Sequence, residues 1–99
     1  MKGRRKANMD ALELPGDFCW AVRDDGNITN ILFFCPTCGS LHGVPLAPYG
    51  PTGGRGWVWN FDQDNPTLTP SMLFSAGHGG SNEDCRWHGW LTNREWITA

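Results

Sequence analysis

Four cysteines and three histidines carry most of the ligand chemistry in this chain, and their spacing sorts them. Cys35-Pro36-Thr37-Cys38 is a C-x2-C pair, and Cys85-Arg86-Trp87-His88 is a C-x2-H pair. Two turns, each presenting two ligands two residues apart, can close a tetrahedral zinc site with sulfur about 2.3 Å from the metal. The pattern therefore predicts one structural zinc ion (Zn2+) held by Cys35, Cys38, Cys85 and His88. Gly39 and Gly89 directly follow the two pairs, which suits a knuckle whose backbone folds back. His42, four residues after Cys38, is the alternative fourth ligand in place of His88, or a hydrogen-bonding neighbour of the site. Cys19 alternates with aromatic residues and reads as a small core residue. His78 falls in a glycine-rich loop and reads as solvated. Disulfides are the weaker reading, because no export signal precedes the cysteines. A redox dithiol would need a helix after the motif, and Gly39-Ser40-Leu41-His42-Gly43-Val44-Pro45 is not one.

The familiar catalytic signatures are missing. A nucleic-acid deaminase needs H-x-E followed by P-C-x-x-C. None of the three histidines has a glutamate two residues on, and Pro36 lies inside the cysteine pair. H-E-x-x-H, G-x-S-x-G and the phosphate-binding P-loop are absent as well. Four protein ligands leave no open metal position, so the expectation is a non-enzyme with a closed site. The alternative is a zinc-dependent enzyme using His42 or Glu83 beside the metal.

The elements that position these residues read as strands. Ninety-nine residues make one domain at most, and 13 glycines, 7 prolines and 6 tryptophans favour short strands joined by turns over a helical bundle. Phe18, Trp20 and Val22 alternate with Cys19, Ala21 and Arg23, Asp24-Asp25-Gly26-Asn27 is a turn, and Ile28 to Phe34 completes a hairpin. Leu41 to Leu46 is a short strand that ends or runs along an edge at Pro45. Trp57-Val58-Trp59-Asn60-Phe61 alternates aromatics, Thr67 to Phe74 is strand-like but interrupted by Pro70, and Cys85 to Leu91 pairs with Glu95 to Thr98 around Thr92-Asn93-Arg94. Residues 49–56 and 75–84 read as loops. The expected class is all-β and zinc-stapled: zinc-ribbon-like antiparallel hairpins with long loops and an extended N-terminal arm. The expected division is a basic arm over residues 1–16 and a zinc-binding β-domain over residues 17–99.

Charge is distributed unevenly. Lys2, Arg4, Arg5 and Lys6 give residues 1–6 a charge of +4, whereas four arginines meet ten acids in the remainder. An acidic body is a poor footprint for duplex nucleic acid, so nucleic-acid contact is expected only through residues 1–6. The arm is expected to serve association and not folding, with packing on Asp62, Asp64, Glu83 and Asp84 as the competing view. Trp87, between Cys85 and His88, is a candidate exposed anchor for a protein partner, or a shield for the metal. No apolar run reaches 18 residues and no signal peptide is evident, so the expected location is the cytoplasm.

Three segments carry a resemblance. Phe34-Cys35-Pro36-Thr37-Cys38-Gly39-Ser40-Leu41-His42-Gly43, then Trp57-Val58-Trp59-Asn60 with Asn65-Pro66-Thr67-Leu68-Thr69-Pro70-Ser71, then Cys85-Arg86-Trp87-His88-Gly89-Trp90-Leu91-Thr92-Asn93, occur in that order over residues 18–98. In this the chain resembles a small zinc-binding family common in bacteriophages and prophages, sometimes labelled as ammonia monooxygenase. Other relatives accompany bacterial ubiquitin-like conjugation systems. The resemblance implies a zinc-binding β-domain. Where the family turns at Asn-Gly, this chain has Asn93-Arg94, which argues against a two-residue type I′ turn. The functional expectation is a phage-type zinc-binding module that engages a protein partner of host or phage. The alternative is a virion or assembly component that uses its basic arm.

Overall fold

The computed structural model describes residues 1–50, 56–74 and 85–99. His78, Glu83 and most of the two expected loops lie outside the described residues. Among the described residues, eight strands form two four-stranded sheets. The first holds β1 (Arg4–Arg5), β2 (Asp17–Val22), β3 (Ile28–Phe34) and β4 (Leu41–Pro45), in that order. The second holds β5 (Val58–Trp59), β6 (Leu68–Leu73), β7 (His88–Thr92) and β8 (Glu95–Thr98), also in order. One 3-10 turn over Met9–Ala11 is the helical element among the described residues, so the all-β expectation holds.

Period-two alternation decides what each strand buries. β2 and β3 pair antiparallel from Phe18 opposite Phe33 to Trp20 opposite Ile31, with Phe18, Ile31 and Phe33 wholly enclosed. His42 and Val44 are the inward residues of β4. In the second sheet Leu68, Met72, Leu91 and Trp96 turn inward, and the two inner faces meet in one aromatic-rich core. β7 and β8 are joined by Asn93 and Arg94, both at positive φ (48° and 67°), between the paired Thr92 and Glu95. That is the left-handed pair a two-residue type I′ turn requires, so the expectation against such a turn is corrected. Arg94 adopts this conformation while its backbone amide donates to the Pro66 carbonyl and its own carbonyl accepts from Gly3.

Both gaps between the sheets are laced shut. On one side Leu46 bridges Trp57, with the Ala47 amide donating to the Trp57 carbonyl at 3.0 Å and the Trp57 amide to that of Pro45 at 2.9 Å. On the other side the N-terminal segment does the closing. Lys2 bridges Glu95 on β8, and two residues later Arg4 pairs with Asp17 on β2. The result approaches a closed barrel, in which little strand edge is left open for foreign pairing. The basic segment expected to serve association is therefore wound into the body, as the competing view of packing on its own acids has it. Arg4 pairs with Asp17, Arg5 with Asp64 and Lys6 with Glu13, each at 2.8 Å.

Candidate functional site

The first cysteine pair sits in a knuckle after β3. The Gly39 amide donates to the Cys35 carbonyl at 3.0 Å and the Cys35 amide to the Ser40 carbonyl at 2.9 Å. Gly39 takes φ +73°, a left-handed conformation in which a side chain would be strained. The chain then enters β4, whose second residue, His42, points back under the knuckle. Cys85 arrives from the far side of the sequence, just ahead of β7. The ligand atoms of Cys35, Cys38, His42 and Cys85 all lie within 4.8 Å of one another. Cys35 Sγ is 3.6 Å from Cys85 Sγ, and Cys38 Sγ is 3.4 Å from His42 Nε2.

These four residues fit a metal ion. Tetrahedral zinc, about 2.3 Å from sulfur and 2.0 Å from nitrogen, sets neighbouring ligand atoms about 3.5–3.8 Å apart. The donors are three free thiols and one imidazole, the Cys3His set of structural sites. Burial opposes charge on the Cys38 thiol, but the Ser40 amide, His42 and the two other thiols outweigh it and hold that thiol at about 6. Burial, against the Trp87 amide but aided by the thiols of Cys38 and Cys35, pushes Cys85 up to about 11. Crowding three thiols into one enclosed spot lets one ionise easily and penalises the next, a conflict that a bound cation removes. His42 is 1% exposed and stacks on Phe74 at 4.4 Å with 13° between the rings.

His88 is not in this cluster; the structure brings His42 there in its place. The reason is parity. The Phe74 amide donates to the Trp87 carbonyl, so the segment entering β7 is already extended and paired. In an extended chain, residues three apart face opposite sides. Cys85 and Trp87 point inward, and Arg86 and His88 point outward. Trp87 is consequently 2% exposed, with its indole donating to Thr98 Oγ1 at 3.0 Å. Of its two readings, exposed anchor or shield for the metal, this burial excludes the anchor. Gly89 follows for a packing reason and not as part of a knuckle: a Cβ there would overlap the Ile97 carbonyl oxygen and lie 2.6 Å from the Trp87 ring.

What His88 reaches on the outer face is Ser71. His88 Nε2 lies 3.0 Å from Ser71 Oγ. Ser71 belongs to an irregularity of β6. Leu68 pairs with Leu91 and Met72 with Gly89, so Thr69, Pro70 and Ser71 together stand opposite Trp90 alone. Bulges of this sort re-aim side chains and cluster near active sites. Pro70 lacks an amide to donate to a ladder, which suits the bulge. The Ser71 carbonyl accepts from the Trp57 indole at 3.3 Å, tying the bulge to the neighbouring strand. A hydroxyl within hydrogen-bond reach of an imidazole nitrogen is the minimal arrangement for activating a serine nucleophile.

Neither residue of this pair was assigned a catalytic role from the sequence. His88 was absorbed into the C-x2-H pattern, and Ser71 lacks the G-x-S-x-G surroundings that mark one kind of serine nucleophile. The available signal was Pro70 inside a strand-like run, with a serine after it, in a segment that also carried the family resemblance.

Residues 4–99 match the family model described as "Bacterial ubiquitination-like system serine protease (BubE)". The chain belongs to the BubE family. No curated protein and no solved structure matches it. The family is named for a serine protease, which overturns two expectations: that the chain is not an enzyme, and that it is a phage-type protein-binding module. The match carries no phage link. Among the described residues, no helix is long and apolar enough to cross a membrane.

Proposed function

We propose that this chain is a serine protease of a bacterial ubiquitination-like system, with Ser71 as nucleophile and His88 as general base. The observation that carries the reading is the 3.0 Å contact between His88 Nε2 and Ser71 Oγ on the exposed face of the second sheet, in a chain of the BubE family. In the tautomer with Nε2 unprotonated, the Ser71 hydroxyl donates to His88. Ser71 Oγ attacks the carbonyl carbon of a polypeptide amide as His88 takes the hydroxyl proton. The C–N bond then breaks and His88 gives that proton to the leaving amine. Water, deprotonated by His88, hydrolyses the acyl-serine ester, which releases the carboxylate and restores Ser71.

Cys35, Cys38, His42 and Cys85 would hold a zinc ion as a closed structural site. Bound there, zinc supplies folding free energy and no reacting group. Its place in the mechanism is indirect. Cys85 anchors the segment that becomes β7, three residues before His88, so the cluster fixes where the base emerges.

The test is a pair of single substitutions. Ser71→Ala and His88→Ala should each lower hydrolysis of a polypeptide substrate by at least about a thousandfold, as loss of either member of such a pair does. Both variants should keep the thermal midpoint near that of the parent, because neither side chain is in the core. A fluorophosphonate should label the parent on Ser71 and leave the Ser71→Ala variant unlabelled. Full activity in the Ser71→Ala variant would refute the assignment.

A further inference from the structure

A serine–histidine pair works only while the imidazole holds the rotamer that points its nitrogen at the hydroxyl. In the familiar triads a carboxylate does this by accepting from the other ring nitrogen. Among the described residues, no carboxylate forms an ion pair with His88. On the outer face Arg86 stands two residues before His88, and two apolar side chains stand beside it as well. Trp90 lies two residues on along β7, on the same outer face, with ring centroids 5.8 Å apart and 35° between the planes. Leu73 is the cross-strand partner of His88 and stands on that face too.

Trp90 has two features that decoration of a surface does not explain. It is the single residue that the three-residue bulge of Thr69, Pro70 and Ser71 spans, so it lies between the irregular segment that carries Ser71 and the regularly paired His88. It is also 38% exposed, in a chain whose Trp59, Trp87 and Trp96 are all buried at 7% or less. Its register partner on β8 is Ile97. Large aromatic side chains have only two rotatable bonds, so an indole beside the imidazole is a stiff wall at low entropic cost.

We infer that Trp90 is a positioning residue for His88: its indole, with Leu73 on the cross-strand side, confines the imidazole to the rotamer that meets Ser71. This rests on the assignment of Ser71 and His88 as the reacting pair. The confinement itself is a property of the ring and is measured without any reaction.

The experiment uses the full chain in four forms: parent, Trp90→Leu, Trp90→Phe and Ser71→Ala. The His88 side-chain rotamer is read from its NMR α–β proton couplings, and the rate of ester hydrolysis is read with p-nitrophenyl acetate. The expected result is one dominant His88 rotamer in the parent and in Trp90→Phe, and averaged couplings in Trp90→Leu. Hydrolysis should show kcat about tenfold lower in Trp90→Leu with KM changed less than twofold, and most of the rate restored in Trp90→Phe. Thermal midpoints should stay together, since the indole lies outside the core. A single rotamer retained in Trp90→Leu, or averaging already present in the parent, overturns the inference. So does a rise in KM at constant kcat, which would make Trp90 a substrate contact only. Undiminished hydrolysis by Ser71→Ala would instead defeat the catalytic assignment, and the rotamer measurement would still decide the role of Trp90.

Discussion

Asp17 is the most consequential carboxylate among the described residues, although it takes no part in the proposed chemistry. It is 1% exposed and accepts from Arg4 Nε at 2.8 Å, Arg4 Nη2 at 3.0 Å, and the backbone amides of Glu13 and Leu14 at 3.0 Å each. Burial alone would raise its pKa, but the Arg4 guanidinium and the two amides more than offset that and bring it down to about 2. A folded-state pKa below the unfolded value means that the stabilisation is complete above about pH 4 and is lost as pH falls toward 2. The shift corresponds to about 2 kcal/mol. Asp17→Asn should therefore be less stable at pH 7 by roughly that amount, and the gap to the parent should close on acidification through this window. Urea unfolding midpoints at pH 7, 4, 3 and 2 measure it; parallel curves for the two proteins would mean that the carboxylate is not the source. Nothing in the spacing of Asp17 in the sequence marks this role, because its partners are a distant arginine and two backbone amides.

At the scale of elements, the knuckle and β7 explain which part of the metal centre was legible. A C-x2-C turn brings its sulfurs together locally, so Cys35 and Cys38 are readable from spacing alone, and the glycine after them reports the left-handed φ. The same x2 spacing in an extended segment separates its ends to opposite faces, and nothing within Cys85-Arg86-Trp87-His88 says which geometry applies. The inward alternation of β4 makes His42 the better partner, but that is visible only once β4 is known to lie beneath the knuckle. The hairpins were readable because polar turns punctuate alternating strands. The Ser71 bulge was not, because two-sided pairing is needed to see it. The two histidines make separable predictions. His42→Ala should lose zinc, measured by metal analysis of the purified protein, and should melt much lower, since a structural zinc in small domains contributes on the order of 10 kcal/mol of folding free energy. His88→Ala should keep its zinc and its melting midpoint while losing hydrolysis. The reverse pattern would return His88 to the metal.

For the whole molecule, the argument turns on the N-terminal segment, which joins the two sheets. The Gly3 amide donates to the Arg94 carbonyl at 2.7 Å, the Trp96 amide to that of Met1 at 2.8 Å, and the Lys6 amide to that of Phe18 at 2.8 Å. The first two bonds belong to the second sheet and the third to the first, so six residues span the seam. The Trp96 indole adds a buried bond to the Gly16 carbonyl at 2.8 Å, on the chain leading into β2. A polar arm can close a barrel because its side chains stay outside while its backbone supplies the missing ladder, with Arg4 reaching in to buried Asp17. Removing residues 1–10 should thus expose the edges of β2 and β8 and leave Asp17 without its guanidinium. Arg4 is half exposed, so taking its guanidinium from the enclosed Asp17 carboxylate costs on the order of 2 kcal/mol. For a domain of about this size that is a fall of roughly 10 °C in the melting midpoint. Had the basic residues served association alone, the midpoint would not move. The two sources of the loss can be separated by making the same truncation in Asp17→Asn. If the buried charge carries much of the cost, the truncation is milder in that background by about 2 kcal/mol, a coupling expected of residues in direct contact. If the edges dominate, the two truncations cost the same and the truncated protein should aggregate on warming. An unchanged midpoint in the truncated parent is the outcome that defeats the closure argument altogether.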